Sequence, residues 1–330
     1  MSRQLLDTLI EKTVVPSFTS IGPRVRRTLF SWRALESYQL DGKVVVLTGG
    51  TSGIGKAGAQ LYAQLGATLV IVGRSPEKTN DTIEWLKRDT GNQSVHSVLG
   101  DLGLRNDVVN MTQELAERFP VIDVLVHNAG ALFNTRRRAA NGCDLSVELM
   151  VATPFLLTGL LLPQLHRAKD NAGPARVLTM SSGGMYTEGL TVDGLEMSDT
   201  SYQGAKQYAR AKRAQVVLNE MWAARIDQAN IVFHALHPGW VNTPGITEAL
   251  PKFSRLLNPL GLLRTPREGA DTMVWLSADD MAVNCSGKFW HDRAIRPIDM
   301  SSSTRKADTP ALRERLWDWC EQHANWQMTD

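Results

Sequence analysis

From Lys43 onward, apolar runs of strand length alternate with segments that have a helical pattern. The run KVVVLT (43–48) is continuously apolar, and TLVIVG (68–73) repeats this character after an intervening helical segment. Continuous apolar strands are typical of sheets buried on both faces, and strand–helix alternation is typical of parallel sheets. We therefore predict an α/β fold, with a doubly wound parallel sheet covered by helices on both faces.

The alternation shows no internal repeat, low-complexity tract or linker between residues 41 and 297. We predict a single domain over 41–297, flanked by a basic helical arm at 1–40 and a helical tail at 298–330. The composition, 43% hydrophobic and 21% charged, is ordinary for a globular chain. The net charge of +2 provides no large basic field, so we expect no nucleic-acid partner.

Three cysteines lie far apart in the chain, at Cys143, Cys285 and Cys320. This spacing supports neither a disulfide framework nor a metal cage, so we expect no metal and a reducing, cytoplasmic location. The start of the chain lacks the uninterrupted apolar run and the cleavage site of a signal peptide. The oligomeric state stays open, with a homo-oligomer as one alternative.

Two segments raise the question of membrane association. The first 40 residues carry six Lys or Arg and three Asp or Glu, a balance of +3, among apolar residues such as Leu5, Leu9 and Phe30. They are either a helical arm packed against the domain or a basic amphipathic segment resting on a membrane surface. The apolar run 147–165 contains an acidic residue and two prolines, so we interpret it as a buried core helix.

A glycine-rich loop, TGGTSGIG (48–55), follows the first strand directly and opens the first helix of the alternation. In this context Gly49 permits a tight turn, Gly53 lets the backbone approach a phosphate, and Gly55 lets the helix pack close to the strand. The helix N-terminus then faces an anionic pyrophosphate. The loop predicts a Rossmann-type fold that binds a dinucleotide.

The end of the second strand discriminates between two dinucleotides. An acidic residue there would accept hydrogen bonds from the ribose 2′-hydroxyl of NAD, whereas a basic residue would pair with the 2′-phosphate of NADP. The sequence VIVGRSPEK places Arg74 at this point, with no acidic residue from Gly73 to Pro76. We predict NADP(H) as the cofactor, and an ordinary surface arginine is the alternative interpretation.

The segment SYQGAKQYARAKRAQ (201–215) contains one pattern twice. Tyr202 precedes Lys206 by four residues, and Tyr208 precedes Lys212 by four residues. Four residues of α-helix bring two side chains to one face, but the six-residue offset between the pairs turns that face by about 120°. Both pairs therefore cannot face one cofactor.

Helix-end signals discriminate between the two pairs. Thr200 and Gln203 can form a capping box, which would leave Tyr202 in the first, fraying turn. Gly204 weakens the helix at the same place. Tyr208 is followed by four more turns of good helical sequence, and a rigid position suits a proton donor. We predict that Tyr208 belongs to the active pair.

Several motifs occur in an order typical of one family. Besides the glycine loop they are GDL (100–102), HNAG (127–130), a serine pair ending at Ser182, a YxxxK, and HPGWVNTPG (237–245). Over residues 41–297 the chain resembles the short-chain dehydrogenases/reductases, and stretches such as YARAKRAQVVLNEMWA look most like their retinol-dehydrogenase-like branch. The resemblance implies an NADP(H)-dependent oxidoreductase that interconverts a carbonyl and an alcohol.

The resemblance also implies two sets of functional residues. The catalytic set is Ser182, Tyr208 and Lys212. In the cofactor set, Asp101 would lie near the adenine and Thr243 would contact the nicotinamide amide; a cap or turn role for Asp101 is the alternative. Asn128 would brace the central strands, and a turn role is its alternative. The other implied cofactor positions are Gly49, Thr51, Ser52, Gly53, Ile54, Gly55, Arg74, Leu102, Ala129, Gly130, Tyr208, Lys212, Pro238, Gly239 and Val241.

In such a site the tyrosine moves a proton while the cofactor carries the hydride. A phenol with a pKa near 10 is a poor acid or base at neutral pH. The Lys212 ammonium and the positive nicotinamide would lower the pKa of Tyr208 toward working pH. In the reducing direction NADPH would deliver hydride to the carbonyl carbon, Tyr208 would protonate the oxygen, and Ser182 would hold that oxygen by a hydrogen bond. Lys212 would also hold the ribose hydroxyls.

The segment PGITEALPKFSRLLNPLGLL (244–263) bears on the substrate. It is apolar and punctuated by proline and glycine. Such a segment suits a mobile lid over an apolar ligand, and a core-docking segment or a partner interface fits as well. We expect a lipophilic ketone, aldehyde or alcohol as substrate. The competing class is a dinucleotide sensor or scaffold protein that keeps the cofactor site without turnover.

One position departs from the family pattern. Members usually carry an asparagine in the long helix between NAG and SS, where its backbone carbonyl holds a water linked to the catalytic lysine; here Met150 aligns with it. Pro154, four residues later, has no N–H for the Met150 carbonyl, so the helix should kink. The freed carbonyl could hold a water that reaches Lys212. Alternatively, Met150 is a core residue and the proline only bends the helix.

Overall fold

Eight strands form one sheet in the computed structural model, which describes residues 2–249 and 251–328. The strands are β1 (Val44–Thr48), β2 (Thr68–Gly73), β3 (Val95–Leu99), β4 (Val124–His127), β5 (Ala175–Met180), β6 (Ile231–Leu236), β7 (Lys288–His291) and β8 (Ala294–Ile295). Their order is β3-β2-β1-β4-β5-β6-β7-β8, and only β7 and β8 pair antiparallel. The predicted Rossmann-type, doubly wound parallel sheet is confirmed. Between β1 and β4 the strand order reverses, and ligands bind such sheets at that point.

Helices cover both faces of the sheet. Before β1 lie α1 (Arg3–Lys12), α2 (Val14–Phe18) and α3 (Ile21–Leu29). Between the strands and after them lie α4 (Gly53–Gln64), α5 (Pro76–Thr90), α6 (Arg105–Arg118), α7 (Leu145–Val147), α8 (Thr153–His166), α9 (Lys169–Ala172), α10 (Gly204–Arg225), α11 (Pro244–Ala249), α12 (Pro251–Leu257), α13 (Pro266–Ala278), α14 (Ser302–Lys306) and α15 (Pro310–Ala324). Successive residues of a strand point to opposite faces. Accordingly, Val46 packs in the core beneath α6, α8 and α10, and Leu47 packs in the core beneath α4, α5 and α13.

The long apolar helix predicted near residues 146–168 is interrupted close to Pro154. Between α7 and α8 the residues Glu148–Ala152 form a π-helical turn, and Pro154 lies in the first turn of α8. A proline has no N–H to offer the carbonyls of the preceding turn, and a local π turn accommodates such a mismatch. The helix predicted to kink at Pro154 is therefore irregular at that place, in the form of a π turn.

The stretch Leu145–His166 is also the one described helical stretch long and apolar enough to cross a membrane, with a mean hydropathy of 1.9. However, 72% of its apolar window is buried inside the protein. This burial agrees with the core helix expected from the sequence.

The N-terminal arm packs onto the sheet through a buried ion cluster. Arg26 is 0% exposed, and its guanidinium donates to Asp7 at 2.7 Å and to Asp292, just after β7, at 2.6 Å. Arg264 donates to the same Asp292 carboxylate at 2.6 Å. The cluster consists of three carboxylates and three guanidiniums, so their charges balance: Asp7, Glu11, Asp292, Arg26, Arg264 and Arg296. Of the two interpretations of residues 1–40, the packed helical arm is thus present.

The C-terminal helix α15 docks on the side of α8 and α10. Thr309 caps it, since its hydroxyl accepts the Leu312 N–H at 3.3 Å. Leu316 and Cys320 are fully buried, as expected for a docking face. The indole buried with them belongs to Trp317 rather than to its neighbour Trp319. Helical periodicity allows either residue, and an aromatic group on the facing helices selects Trp317: its ring lies 4.8 Å from that of Trp222.

Candidate active site

Most of the predicted site residues lie directly after a strand. The carboxyl ends of parallel strands share one edge of the sheet, so this placement gathers residues far apart in sequence. Each of the strands β1 to β6 is followed at this edge by predicted residues. They are Gly49, Thr51, Ser52, Gly53, Ile54 and Gly55 after β1, Arg74 after β2, Asp101 and Leu102 after β3, Asn128, Ala129 and Gly130 after β4, Ser182 after β5, and Pro238, Gly239, Val241 and Thr243 after β6. Tyr208 and Lys212 reach the edge from α10. The structure therefore brings the predicted positions to one edge, without assigning their roles.

The glycine loop adopts a conformation that side chains would disturb. Gly49 has φ +72° and Gly53 has φ +51°, both in the left-handed region that favours glycine. At Gly55 a Cβ would overlap the Gly49 carbonyl oxygen, so the helix can approach the turn only without a side chain there. A Cβ on Gly53 would also lie 3.2 Å from the Thr243 methyl. The loop thus provides a narrow cradle at the N-terminus of α4, which fits a pyrophosphate.

Arg74 extends from the end of β2. Its side chain is 75% exposed, and its nearest carboxylate is that of Asp101, at 3.9 Å. Such a long, exposed pair contributes little, so the guanidinium remains able to engage another anion. The Asp101 carboxylate also accepts the Gly103 N–H at 2.8 Å, which is the turn role considered as its alternative.

Asn128 ties the end of β4 to the glycine loop. Its side-chain amide donates to the carbonyls of Thr48 and Gly49 at 3.0 and 3.2 Å, and its N–H donates to the Thr48 hydroxyl at 3.0 Å. Two residues later, a Cβ on Gly130 would lie 3.3 Å from Lys212 Nζ. The NAG segment therefore borders both the glycine loop and Lys212.

Ser182, Tyr208 and Lys212 form one cluster at the end of β5. Lys212 is 2% exposed, and its Nζ donates to the carbonyl of Met180 at 2.7 Å. The same Nζ lies 5.4 Å from the centroid of the Tyr208 ring. Ser182 lies near enough to Tyr208 to act on its pKa, and Ser182 Oγ accepts the Gly184 N–H at 3.2 Å. A phenol, a hydroxyl and a buried amine therefore lie together.

Burial acts on the two titratable groups of this cluster in opposite directions. It raises the pKa of Tyr208 to about 12, while the hydrogen bond with Ser182 acts to lower it. It lowers the pKa of Lys212 to about 7. The expectation that Lys212 brings the pKa of Tyr208 down is not met in the protein alone, because burial disfavours the charged form of each group. Tyr208 is protonated at neutral pH, which suits donation of a proton.

Tyr202 lies ahead of α10, which begins at Gly204. The capping box predicted for Thr200 and Gln203 does not form: Gln203 is the N-cap, and its side chain makes no capping bond. Gly204 occupies the first helical position, where a Cβ would overlap the Phe133 carbonyl. The Tyr202 hydroxyl donates to that carbonyl at 3.2 Å. The first Tyr–Lys pair therefore straddles the start of the helix, and the second lies within it.

The loop after β6 is held by the N-terminal arm, a connection that the sequence did not indicate. The Trp240 N–H donates to the Phe18 carbonyl at 2.7 Å, and Arg264 Nε donates to the same oxygen at 3.0 Å. Gly239, with φ +77°, leaves no room for a side chain between this loop and Arg264. More than 200 residues separate Phe18 from the loop, so no local pattern could have revealed the contact.

Glu11, His237 and His291 bring metal-ligand types of atom within 4.8 Å of one another. However, His291 Nε2 accepts a hydrogen bond from Arg264 at 3.0 Å, so its proton lies on Nδ1, toward Glu11. Likewise His237 Nδ1 accepts the Gly239 N–H at 3.2 Å, which leaves the proton on Nε2. Each ring therefore uses one nitrogen as a hydrogen-bond acceptor and carries its proton on the other, so the chemistry of this group fits hydrogen bonding.

A cavity of about 20 Å³ lies beside Met150 and Pro154. Gln215 and Asn219 also line it, and their buried amides include polar atoms with no hydrogen-bonding partner among the described residues. A space of this size accommodates about one water. The Met150 side chain itself is fully buried, as the core interpretation of this residue requires.

We expect an ordered water in this cavity, bonded to the Met150 carbonyl, whose α-helical partner Pro154 has no N–H. If that water also reaches Lys212, Pro154→Ala restores the N–H and should lower turnover severalfold while NADPH affinity is unchanged. Pro163→Ala, in the same helix, is the matched control. A high-resolution crystal structure locates the water. A dry site filled by Met150, with unchanged turnover in Pro154→Ala, would contradict the relay.

This chain resembles known proteins over most of its length. The short chain dehydrogenase family model matches residues 43–252. Dehydrogenase/reductase SDR family member 12 of Bos taurus is 34% identical over 287 residues, covering 87% of each chain. Retinol dehydrogenase 14 of Homo sapiens is 28% identical over 319 residues, covering 91% of each chain.

The fold is also found among solved structures. L-Sorbose reductase from Gluconobacter frateurii, complexed with NADPH and L-sorbose, has a TM-score of 0.61 and 22% identity, and the match covers 77% of this chain and 95% of that one. At this identity the likeness supports the fold alone. The family match spans well over half of the chain, and relatives align over almost all of it. The chain is therefore a member of the short-chain dehydrogenase/reductase family of oxidoreductases, within its retinol-dehydrogenase-like branch.

Proposed function

We propose that this protein is an NADP(H)-dependent oxidoreductase that interconverts a carbonyl and an alcohol on a lipophilic small molecule. The observation that carries the proposal is the cluster of Ser182, Tyr208 and Lys212 at the edge of the sheet where the glycine loop also lies. Family membership makes a nicotinamide dinucleotide the expected cofactor. The name of the relative retinol dehydrogenase 14 supports a lipophilic alcohol or aldehyde as the class of substrate.

Each residue of the cluster has one task in this proposal. When bound, the nicotinamide supplies the hydride that reduces the carbonyl carbon, or accepts it in the reverse direction. Ser182 Oγ donates a hydrogen bond to the substrate oxygen, and Tyr208 donates the proton that this oxygen needs. Lys212 lies buried beside Tyr208, and its protonated form favours the phenolate left after proton transfer.

The glycine loop and Arg74 would hold the dinucleotide. The cradle at Gly49, Gly53 and Gly55 would place the pyrophosphate at the N-terminus of α4. Arg74, exposed at the end of β2, would pair with the ribose 2′-phosphate. The exposed guanidinium and the absence of an acidic residue from Gly73 to Pro76 support NADP(H) over NAD(H).

We expect Arg74→Ala to weaken NADPH binding ten- to a hundredfold and to leave NADH binding unchanged. A charge-assisted hydrogen bond to phosphate is worth about 1.5–3 kcal/mol. Calorimetric titration of both cofactors into the wild type and the variant measures the effect. Arg88→Ala, an exposed arginine at the other end of α5, is the matched control. Equal affinity of the wild type for NADPH and NADH would refute the assignment.

Turnover tests the proposal as a whole. Purified protein is incubated with NADPH and a panel of ketones and aldehydes from small to strongly lipophilic, and loss of NADPH absorbance is followed. We expect oxidation of NADPH with lipophilic members of the panel. Tight NADPH binding without turnover across the panel would favour the competing class, a dinucleotide sensor or scaffold.

The packed arm still offers a surface for peripheral membrane contact, which we include in the proposal. Leu5 and Leu9, one turn apart on α1, are 51% and 47% exposed, and the basic Arg3 and Lys12 are exposed on the same helix. Exposed apolar and basic residues on one helix favour an anionic lipid surface. The double variant Leu5→Glu with Leu9→Glu should lose co-sedimentation with phosphatidylserine vesicles, whereas Leu104→Glu, an exposed leucine of the sheet domain, should retain it. Wild-type protein that stays in the supernatant would rule the contact out.

A further inference from the structure

The aromatic ring of Phe18, from the N-terminal arm, lies against the residue that follows Ser182. Phe18 is only 4% exposed. A Cβ on Gly183 would overlap the Phe18 ring, so ring and backbone are in direct contact at that glycine. The ring centroid also lies 4.5 Å from that of His237 and 5.8 Å from that of Trp240. Phe18 thus fills the space between the Ser182 segment and the loop after β6.

The main chain around Phe18 holds that loop and its continuation. Besides the bonds of the Phe18 carbonyl to Trp240 and Arg264, the Ser20 N–H donates to the Leu262 carbonyl at 2.9 Å. The Ser20 hydroxyl donates to the Gly261 carbonyl at 2.8 Å. The segment 244–263, predicted as a mobile lid, a core-docking segment or a partner interface, is therefore flanked by contacts with the arm, at Trp240 before it and at Arg264 after it.

The buried ion cluster keeps the arm in this position. Arg264, 1% exposed at the side chain, donates to the carbonyls of Ser17, Phe18 and Thr19 and to the Asp292 carboxylate. Breaking a buried charge pair by removal of one partner is costly. The backbone of the arm is therefore fixed beside Ser182 rather than loosely laid on the surface.

We propose that Phe18 forms an apolar wall of the substrate site and limits the size of the group carried on the substrate carbonyl. The inference rests on the proposed function, in which Ser182 holds the substrate oxygen. A group attached to that carbonyl must then lie beside Ser182 and its neighbour Gly183, and the Phe18 ring packs on Gly183. The arm supplies a specificity-determining residue to a site that is otherwise built from the sheet domain.

The test compares two ketones that differ in size, butan-2-one and 4-phenylbutan-2-one. Removing the ring opens space for a phenyl group, and a larger ring closes it. The ratio of kcat/KM for the larger over the smaller ketone should rise about tenfold in Phe18→Ala and fall about tenfold in Phe18→Trp. Phe30→Ala, an exposed phenylalanine at the end of the same arm, should leave the ratio unchanged.

A merely structural role of Phe18 would lower kcat/KM for both ketones equally, and a ratio that stays constant in both variants overturns the proposal. If Phe18→Ala does not fold, judged by its Tm and its NADPH affinity, Phe18→Leu takes its place with the same expected direction. The contact itself is tested by Gly183→Ala, whose added methyl should reduce activity in the wild type and cause no further loss in the Phe18→Ala background.

Ketone binding to the protein saturated with NADP⁺ distinguishes failure of this inference from failure of the proposed function. The protein saturated with NADP⁺ cannot reduce a ketone, so calorimetric titration with the two ketones reports affinity alone. The same shift in relative affinity among the Phe18 variants supports the wall even if the wild type shows no turnover. Identical affinity ratios in wild type and variants refute the wall, whatever the turnover.

Discussion

Tyr208→Phe is expected to abolish NADPH-dependent carbonyl reduction while leaving NADPH affinity close to that of the wild type. The change removes only the hydroxyl, which lies in the Ser182 cluster and is the proton donor that we propose. General acid catalysis typically contributes a factor of about 10²–10⁴ to the rate. The turnover of Tyr208→Phe should therefore be lower than that of the wild type by about this factor or more. Steady-state kinetics with a lipophilic ketone, together with titration of NADPH, measures both quantities.

Tyr202→Phe is the matched control, because it removes the same group from the other Tyr–Lys pair. Its hydroxyl bonds to the Phe133 carbonyl ahead of α10 and is not part of the Ser182 cluster. We expect most activity to remain. An inactive Tyr202→Phe beside an active Tyr208→Phe would reverse the assignment of the two tyrosines.

Arg26→Met is expected to destabilise the protein by about 3–5 kcal/mol, the usual cost of removing one partner from a buried charge cluster. Arg26 bonds Asp7, Glu11 and Asp292, so its loss leaves three buried carboxylates facing two guanidiniums. Methionine keeps most of the side-chain volume, which isolates the effect of charge. Urea unfolding followed by circular dichroism measures the free energy of unfolding.

Arg24→Met is the control for this prediction. Arg24 lies two residues earlier on α3, but its side chain is 67% exposed and its nearest carboxylate oxygen is 3.7 Å away. We expect a change within about 0.5 kcal/mol. Similar losses in both variants would show that the buried charges are not what holds the arm.

Acid should reduce the difference in the free energy of unfolding between the wild type and Arg26→Met. Burial acts to raise the pKa of Asp7, Glu11 and Asp292, but their partners hold each pKa below the ordinary range in the folded wild type. Arg296 and Arg26 lower the pKa of Asp7, and Arg264 lowers that of Asp292. For Glu11 the hydrogen bond with His291 acts first, and Arg296 adds to it. The stability that these carboxylates contribute is present above their unfolded pKa of about 4, and it is lost as pH falls below that value toward the folded pKa. In the variant an unpaired carboxylate can take up a proton, so the gap to the wild type narrows below about pH 4.

The sheet and the glycine loop could be predicted because the signals that specify them are local. A continuous apolar strand such as 43–48 needs burial on both faces wherever it lies. Gly49 and Gly53 adopt positive φ angles, which other residues rarely tolerate. The edge at which the strands end then follows from parallel connectivity alone.

Helix α10 shows which features local sequence patterns predict and which they do not. The spacing of Tyr208 and Lys212 placed both residues on one helix, and the structure has them there. The capping box predicted with Thr200 did not form, because Gly204 begins the helix against the Phe133 carbonyl. The pKa of Tyr208 also depended on burial, which the order of residues does not reveal.

The sequence by itself determined the parallel sheet, the glycine loop and the helical position of Tyr208 and Lys212, since periodicity, glycine geometry and helical spacing act between near neighbours. Ser182 was predicted only from the resemblance to the family. Only the tertiary structure decided where residues 1–40 lie and that Phe18 reaches Gly183 beside Ser182. That placement depends on buried ion pairs between segments more than 200 residues apart, such as Arg26 with Asp292. Charges of this kind look like ordinary surface residues in a sequence, and only the packing shows that they are buried together.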